Sequence, residues 1–224
     1  MWWSRKGNVV WICAAVVQLA GAADGKPVAL FNGKNLGGWT HYLWDSAAKK
    51  QDTATPMPAV WSVKDRILSC QGKPTGYIRT GKEYENYRLS LEWRWPEGTT
   101  KGNSGVLVHS TTPNALNAWP KSVEVQLAFG NAGDFWVIGT ELEVPDLEKR
   151  RQGRRHLNLT DNSEKPAGEW NRMEILAKGD EITVHVNGDL VNHATKCNVT
   201  RGAISLQSEG TPIYFRNIYL TPLN

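Results

Sequence analysis

Two stretches of the chain alternate apolar side chains with polar side chains that could take part in chemistry. In residues 87–95 the polar positions include Glu92 and Arg94, and in residues 122–129 they include Glu124 and Gln126. Alternation with a period of two is typical of a strand that turns one face to a core. A carboxylate on the other face can act as a general base or bind a metal ion, so Glu124 is the first candidate.

Two further interpretations of these polar positions remain open. Glu124 can equally form an ordinary cross-strand ion pair with Arg94. His109 shares its strand parity with Gly105 and Leu107, so it can be a base or a ligand on the polar face, or a hydrogen-bonded histidine at the end of a strand.

Metal binding is also left open by the sequence. His109, Glu124 and Gln126 together offer donors for a hard cation, but three candidates on two strands do not form a motif. His156, His185 and His193 lack a ligand spacing such as H-E-x-x-H and are interpreted as structural or solvated. The cofactor is therefore unknown, with a divalent cation as one option.

Several tryptophans outside the alternating stretches are candidates for stacking on a bound ligand. Trp44, Trp119 and Trp136 fall in predicted loops or at the start of a strand, whereas Trp93 and Trp95 have core parity. Packing within the protein is the more common role of a large aromatic side chain.

The elements that must position these residues are short strands separated by turn signals. About a dozen such strands, with no convincing helix, predict an all-β fold, that is, a two-sheet antiparallel β-sandwich or jelly roll. Residues 41–58 are predicted to form a loop with a short helical turn, and residues 141–155 a long surface loop. Asn187-Gly188 predicts a tight hairpin turn.

The strand parity makes a sharp prediction about faces. If both alternating stretches lie in one sheet, then Glu92, Arg94, Glu124 and Gln126 line one concave face. The residues between them must then be buried between the two sheets; these are Leu91, Trp93, Val123 and Val125.

The N-terminus has the features of a secretory signal. Arg5 and Lys6 precede an apolar run over residues 9–19, which is shorter than the ~20 residues of a membrane-spanning helix, and small residues follow at 20–22. We therefore expect a signal peptide over residues 1–23 and one exported domain over residues 24–224, periplasmic or extracellular, with no membrane span after removal of the signal.

Charge and cysteine content limit the partners. The chain has 26 basic and 22 acidic residues, and loss of Arg5 and Lys6 lowers the formal charge from +4 to +2. The basic run at 149–155 has no interleaved aromatic residues, so no nucleic-acid partner is expected. Cys70 and Cys197 can form a disulfide or remain buried thiols. Oligomeric state is not indicated.

The order of short motifs resembles the 3-keto-disaccharide hydrolase domain family over nearly the whole mature chain. The resemblance implies a concanavalin A-like jelly-roll fold. The resemblance departs from the family pattern at Val108-His109 and at Ser122-Val123, so substrate preference is not carried over. The motifs are L-F-N-G-K-N-L-G-G-W from Leu30, G-Y-I-R-T from Gly76, L-E-W-R from Leu91, G-N-S-G-V from Gly102, V-E-V-Q from Val123, G-E-W-N from Gly168, V-N-G from Val186, I-S-L-Q from Ile204 and F-R-N-I from Phe215.

The resemblance implies cleavage of an oligosaccharide or glycoside substrate oxidised to a ketone at carbon 3 of the sugar. Elimination across carbons 1 and 2, followed by hydration, needs a base, a partner for the enolate oxygen and an acid for the leaving group. Glu124 and His109 are the candidates for proton transfer, and the forked donors of Arg94 suit the enolate. The candidate substrate-binding residues are Glu92, Asn103, Gln126, Trp136 and Gln207.

Two other functions fit the same fold. A noncatalytic carbohydrate-binding module would use the same polar face without needing Glu124 or His109. A laminarinase-like glycosidase is disfavoured, because Glu124-Val125-Gln126 lacks the additional carboxylates of the E-x-D-x-x-E strand.

Overall fold

The computed structural model describes residues 24–224, and the predicted signal peptide, residues 1–23, lies outside them. Seventeen strands and one short α-helix, α1 at Leu147–Arg150, follow one another in the described residues, with a single turn of 3-10 helix at Met57–Ala59. The strands are β1 Val28–Ala29, β2 Trp39–Asp45, β3 Lys50–Asp52, β4 Trp61–Lys64, β5 Ile67–Cys70, β6 Gly76–Thr80, β7 Tyr87–Arg94, β8 Gly105–Ser110, β9 Ser122–Gln126, β10 Phe135–Ile138, β11 Arg151–Gln152, β12 Arg155–His156, β13 Asn171–Lys178, β14 Glu181–Val186, β15 Asp189–Ala194, β16 Ala203–Ser208 and β17 Ile213–Pro222.

The strands form two antiparallel sheets, which confirms the predicted two-sheet all-β fold. Sheet A has the order β15-β14-β13-β7-β17-β5-β4, with β1 beside β17. Sheet B has the order β11-β12-β10-β9-β8-β16-β6-β2-β3. In sheet B the late strand β16 is inserted between β8 and β6, so the middle of this sheet is assembled from distant parts of the chain.

The core lies between the sheets and is built by the alternating strands as predicted. Leu91 and Trp93 of β7 and Val123 and Val125 of β9 belong to one buried cluster, each at most 1% exposed. Trp95 is buried in the same cluster. At about 25 cal/mol per Å² of apolar surface removed from water, side chains of this size contribute on the order of 1.5–3 kcal/mol each to folding.

The predicted common face for the polar residues of these strands is wrong. β7 lies in sheet A between β13 and β17, whereas β9 lies in sheet B between β8 and β10. Glu92 and Arg94 therefore point out of one side of the sandwich, and Glu124 and Gln126 out of the other. Alternation fixes which side chains face the core, but it carries no information about which sheet a strand joins.

Two segments predicted as loops contain strands. Residues 41–58 include most of β2 and all of β3, which pair as a hairpin, and the expected helical turn is the 3-10 turn at Met57–Ala59. Residues 141–155 include α1, β11 and the first residue of β12. Arg150 in this segment is buried, because it donates hydrogen bonds to the carbonyl oxygens of Leu157 and Pro145 and to Oδ1 of Asn192. A buried arginine whose donors are hydrogen-bonded leaves no apolar pattern in the sequence, so its burial could not be predicted.

The predicted turn at Asn187-Gly188 is confirmed. It joins β14 to β15, and both residues have positive φ, 52° and 100°. Asn187 is fixed further by its side chain, whose Nδ2 donates to the carbonyl oxygen of Ser163 and to Oδ1 of Asn171, both at 2.8 Å.

Cys70 and Cys197 are free, buried thiols, so the second of the two open alternatives applies. Within residues 24–224 we find no helix that is both long and apolar enough to cross a membrane.

Candidate functional site

The outer face of sheet B carries the buried carboxyl group of Glu124. This residue lies on β9, where its neighbours across the sheet are Leu107 of β8 and Trp136 of β10. Only 6% of Glu124 is exposed, although it faces away from the core. A carboxyl group shielded to this extent outside a core is typical of a site that works on a bound molecule.

Gly105 provides the space into which the Glu124 side chain extends. A Cβ atom at Gly105 would lie 2.9 Å from Oε1 of Glu124 and 2.5 Å from Oε1 of Gln207. The pairing of Leu206 with Val106 places Gln207 across from Gly105. Glycine on β8 thus allows side chains from the two flanking strands, β9 and β16, to approach one another above the sheet. Any larger residue would separate them.

Gln207 is the clearest sign that this face binds a ligand. It is fully buried, yet neither its Oε1 nor its Nε2 has a hydrogen-bond partner among the described residues. The Oγ of Ser205, two residues earlier on the same face, is also buried and unpartnered. Buried amides and hydroxyls in proteins are nearly always paired, so these groups are suited to the hydroxyls of a bound sugar.

The surroundings of Glu124 favour its neutral form. Burial and, to a smaller extent, the negative charge of Glu209 raise the pKa of its carboxyl group to about 8. The nearby amide of Gln207 and the charge of Arg154 act in the opposite direction. At neutral pH Glu124 is therefore mainly protonated and able to donate a proton.

Glu209 is a site residue that the sequence analysis missed. It follows Ser208, the last residue of β16, and by alternation it lies on the same side as Ser205 and Gln207. It is half-buried, and burial raises the pKa of its carboxyl group to about 7. Continuing the alternation of residues 203–208 by one more step would have identified it.

Aromatic residues flank this carboxyl-containing region on both sides. Trp136 lies next to Glu124, with the guanidinium of Arg154 5.5 Å from its ring centre, and its buried Nε1 has no partner in the described chain. Tyr77 pairs with Gln207 and is stacked on Tyr42 at 5.6 Å between ring centres. Aromatic faces at these positions are suited to the apolar faces of sugar rings.

The predicted amides differ in what they do. Gln126 shares the strand parity of Glu124, but its Oε1 accepts hydrogen bonds from the backbone N–H groups of Leu127 and Ala128, so it closes the end of β9. Asn103 precedes β8, and its buried Oδ1 has no partner in residues 24–224. Asn103 thus keeps an acceptor for a ligand, whereas the acceptor of Gln126 is already used.

His109 is not on this face, which corrects the prediction from its parity. Its φ is 54°, and the pairing of β8 with β16 is irregular at this point. The left-handed backbone directs the ring inward, where it packs edge-on against the buried Tyr87 at 5.8 Å between ring centres. Its Nδ1 lies 2.9 Å from the carbonyl oxygen of Val199 and therefore carries the proton that it donates.

The position of His109 also means that the three candidate cation ligands, His109, Glu124 and Gln126, do not lie together. Burial lowers the pKa of His109 to about 4, and the ring lies on the core side of β8, away from Glu124. In the described part of the chain no group of three or more His, Cys, Asp or Glu side chains is arranged to hold a metal ion.

Arg94 and Glu92 lie on the outer face of sheet A, away from Glu124, so neither the predicted shared site nor the alternative ion pair between Arg94 and Glu124 is formed. Glu92 accepts from Nε of Arg216 at 2.5 Å. The guanidinium groups of Arg94 and Arg216 lie 4.8 and 4.0 Å from the ring centre of Trp170. These contacts fix the loop that carries Trp170 onto sheet A.

Comparison with solved structures agrees with this fold. A candidate glycosyl hydrolase from Parabacteroides distasonis ATCC 8503 is 26% identical, with a TM-score of 0.61, and the match covers 88% of this chain and all of that one. The non-specific endo-β-1,3(4)-glucanase SCLam of family GH16 has a TM-score of 0.58 at 11% identity, covering 92% and 94% of the two chains. The carbohydrate-binding module CBM66 from Bacillus subtilis has a TM-score of 0.54 at 12% identity, covering 81% and 93%.

Comparison with protein families and with curated proteins gives the family directly. No curated protein matches the sequence significantly. Residues 26–221 match the 3-keto-alpha-glucoside-1,2-lyase-like domain. This match confirms the resemblance drawn from the order of motifs, and it makes the chain a glycosyl hydrolase-like, carbohydrate-active domain. The protein belongs to the 3-keto-alpha-glucoside-1,2-lyase-like domain family.

Proposed function

We propose that this protein cleaves 3-keto-glycosides or 3-keto-disaccharides by elimination across carbons 1 and 2 of the oxidised sugar, followed by hydration. The observation that carries the proposal is the buried, largely neutral carboxyl group of Glu124, which faces the unpartnered amide of Gln207 above Gly105. Membership of the family supplies the substrate class.

The chemistry makes this carboxyl group useful. A ketone at carbon 3 acidifies the hydrogen on carbon 2, so a base can remove it while the bond from carbon 1 to the leaving oxygen breaks. The leaving oxygen needs a proton, and a neutral carboxyl group can supply one. Gln207 can hold a sugar hydroxyl or carbonyl oxygen beside Glu124, and Trp136 and Tyr77 provide surfaces for the rings on either side.

The direct test mixes the purified protein with a 3-keto-glycoside and, separately, with its unoxidised parent. We expect release of the aglycone from the ketone only. A Glu124→Gln variant should lose about 100-fold or more of that activity while melting, at neutral pH, no lower than the wild type. Release from the parent glycoside at a similar rate would contradict the proposal.

The same reaction run in D₂O separates elimination from direct displacement. Elimination removes the hydrogen from carbon 2 and replaces it from solvent, so the released keto-sugar gains one deuterium at carbon 2. Direct displacement leaves that hydrogen in place. A sample of the substrate without enzyme corrects for spontaneous exchange beside the ketone.

A noncatalytic carbohydrate-binding function is the second candidate, favoured by the stacked Tyr42 and Tyr77 and by the fold shared with CBM66. This alternative predicts that unoxidised oligosaccharide binds as tightly to Glu124→Gln as to the wild type, with no product from either sugar. Calorimetry of both proteins with both sugars distinguishes it from the enzyme.

We also propose that residues 1–23 form a signal peptide and that the mature protein is exported. The support is the order of basic, apolar and small residues at the N-terminus. Mass spectrometry of the protein from the culture medium or periplasm should give an N-terminus near Ala23 or Asp24. An intact Met1 in a membrane fraction would contradict export.

A further inference from the structure

Glu209 is held near Glu124 by a well-anchored backbone. On one side of it, Oγ of Ser208 donates to the carbonyl oxygen of Pro74 at 2.8 Å, and on the other the N–H of Gly210 donates to the carbonyl oxygen of Gly72 at 2.6 Å. The residue is therefore fixed at the end of β16 and is not part of a free loop.

The carboxyl group of Glu209 has no structural role that accounts for its burial. No ion pair or hydrogen bond joins its side chain to another described residue, unlike the half-buried Glu92, which is paired with Arg216. Its negative charge raises the pKa of Glu124, on the same outer face of sheet B. Two acidic groups that repel one another are costly to place together, so the arrangement calls for a functional explanation.

Gln207 links the two acidic residues and points independently to a ligand. It lies on β16 two residues before Glu209, and its Oε1 faces the space above Gly105 into which Glu124 also extends. Because both polar atoms of this fully buried amide are unpartnered in the described chain, a ligand that pairs with Gln207 would lie beside Glu124, on the face that also carries Glu209.

We infer that Glu124 and Glu209 are the acid and the base of the proposed reaction, acting on a sugar held by Gln207. The inference rests on the proposed cleavage of 3-keto-glycosides. Glu124 holds the proton because it is the more deeply buried of the two, and burial penalises its charged form more strongly.

The proton transfers balance over the full cycle. In the first half, the bond between carbon 2 and its hydrogen breaks, and the proton goes to the Glu209 carboxylate. The electron pair forms the double bond between carbons 1 and 2 as the bond from carbon 1 to the leaving oxygen breaks, and Glu124 protonates that oxygen. The carboxyl proton of Glu209 then exchanges with solvent. In the second half, water adds to carbon 1 and gives a proton to Glu124, while Glu209 delivers a solvent-derived proton to carbon 2.

The ionisation of the pair agrees with these roles. Burial gives Glu209 a pKa of about 7, and burial with the charge of Glu209 gives Glu124 a pKa of about 8. The form with Glu209 charged and Glu124 neutral is therefore most populated between these values. Activity should follow a bell-shaped pH profile. The two apparent pKa values of this profile describe the coupled pair and not either residue alone.

The test compares Glu209→Gln, Glu209→Asp and the control Glu181→Gln, an exposed residue at the start of β14 in sheet A. Glu209→Gln should reduce kcat on a 3-keto-glycoside about 100-fold or more, Glu209→Asp should retain part of the activity, and the control should match the wild type. Melting curves confirm that each variant is folded.

A second measurement does not depend on turnover. The ¹³C resonance of the Glu124 carboxyl group, identified by its loss in Glu124→Gln, gives the apparent pKa of that group. In Glu209→Gln this pKa should fall, because a neighbouring negative charge has been removed. An unchanged pKa, or activity of Glu209→Gln within about three-fold of the wild type, would overturn the pairing.

The two proposals fail in different ways. Wild-type protein that releases nothing from 3-keto-glycosides overturns the proposed function and, with it, the acid and base roles. Wild-type activity that survives in Glu209→Gln overturns only the role of Glu209 and leaves the proposed function standing.

Discussion

The Glu124 carboxyl group has a pKa of about 8 in the folded chain, against an ordinary value of 4.5. The folded state therefore binds this proton more tightly than the unfolded state does. The resulting contribution to stability is complete below pH 4.5 and is lost progressively as the pH rises towards 8, because the unfolded chain then releases the proton and gains a solvated charge, whereas the buried carboxyl group of the folded chain stays neutral.

Glu124→Gln should consequently stabilise the protein at alkaline pH. At pH 9 we expect the free energy of unfolding to rise by at least about 1 kcal/mol, or about 2–4 °C in Tm, because the buried charge is removed. At pH 4.5 the Tm values of the variant and the wild type should converge. Thermal melts across this range check the prediction, with Glu181→Gln as the control that should show no such pH-dependent gain.

The contribution of His109 to the stability of the folded chain depends on pH in the opposite direction. Its pKa is about 4 in the folded chain against an ordinary 6.5, because the ring is buried beside Tyr87. The unfolded state binds a proton more readily, so the contribution of His109 to stability is present above pH 6.5 and is lost as the pH falls towards 4. The loss can reach about 3 kcal/mol at the acid end of this window.

His109→Asn is the variant that isolates this effect. Asparagine tolerates the left-handed backbone at this position and can keep a donor towards the carbonyl oxygen of Val199. We expect a shallower fall in Tm between pH 6.5 and 4, with turnover at neutral pH retained. If kcat falls while the decrease in Tm between pH 6.5 and 4 is the same as in the wild type, His109 takes part in the reaction instead.

Parity gave the correct side for Glu124, but not for His109. Glu124 lies on a regular strand, where every second residue points the same way. His109 has a φ of 54° at an irregularity in β8, and one left-handed residue is enough to reverse the direction of a side chain. No residue type in its neighbourhood signals this change, because histidine is not among the usual markers of a bulge.

At the scale of elements, β8 determines how closely its two neighbours can approach. β9 supplies Glu124, β16 supplies Gln207, and the missing side chain of Gly105 leaves the space between them. The arrangement depends on a single residue without a Cβ atom in the middle of sheet B.

Gly105→Ala should therefore impair function more than folding. The new methyl group would meet Oε1 of Gln207 at 2.5 Å and both Cγ and Oε1 of Glu124 at 2.9 Å. These are side-chain atoms only, so a change of rotamer relieves the contacts without a shift of the backbone. We expect a drop in kcat/KM of about 100-fold from misplacement of the two groups, with a Tm within a few degrees of the wild type.

The matched control for this substitution is Gly81→Ala. There the nearest atom to an added Cβ is the carbonyl oxygen of Gly38 at 3.4 Å, and no site residue is touched. Equal losses of activity in the two variants, or unfolding of Gly105→Ala alone, would contradict the role assigned to Gly105.

Sheet membership is the element-scale property that the sequence did not reveal. β7 and β9 have nearly the same pattern of alternation, and both bury their apolar sides in the same core. Their partners are decided by strands far away in the chain: β13 and β17 for the first, β8 and β10 for the second. For this reason the polar sets on β7 and β9 appeared to be one site, although they lie on opposite surfaces.

At the scale of the whole molecule, the two thiols report on global unfolding. Cys70 and Cys197 are buried, and burial raises the pKa of both, that of Cys197 to about 12. Native mature protein should therefore react with a thiol reagent only at the rate of unfolding, and Tm should be the same with and without reductant.

Labelling in guanidinium chloride provides the control, in which both thiols should react at once. Fast labelling of one cysteine in native protein would show a local opening at that residue. A mass 2 Da lower than that of the reduced chain would indicate a disulfide and contradict the free thiols.

The position of β16 in sheet B also governs when the molecule can become complete during synthesis. This strand is made of residues 203–208, yet it lies between β6 at residues 76–80 and β8 at residues 105–110. The two halves of sheet B have no direct pairing until this late segment arrives, so contacts of long sequence separation must close last. A nascent chain interrupted before residue 203 has neither Gln207 nor Glu209, and its two exposed strand edges at β6 and β8 make it a natural client for chaperones.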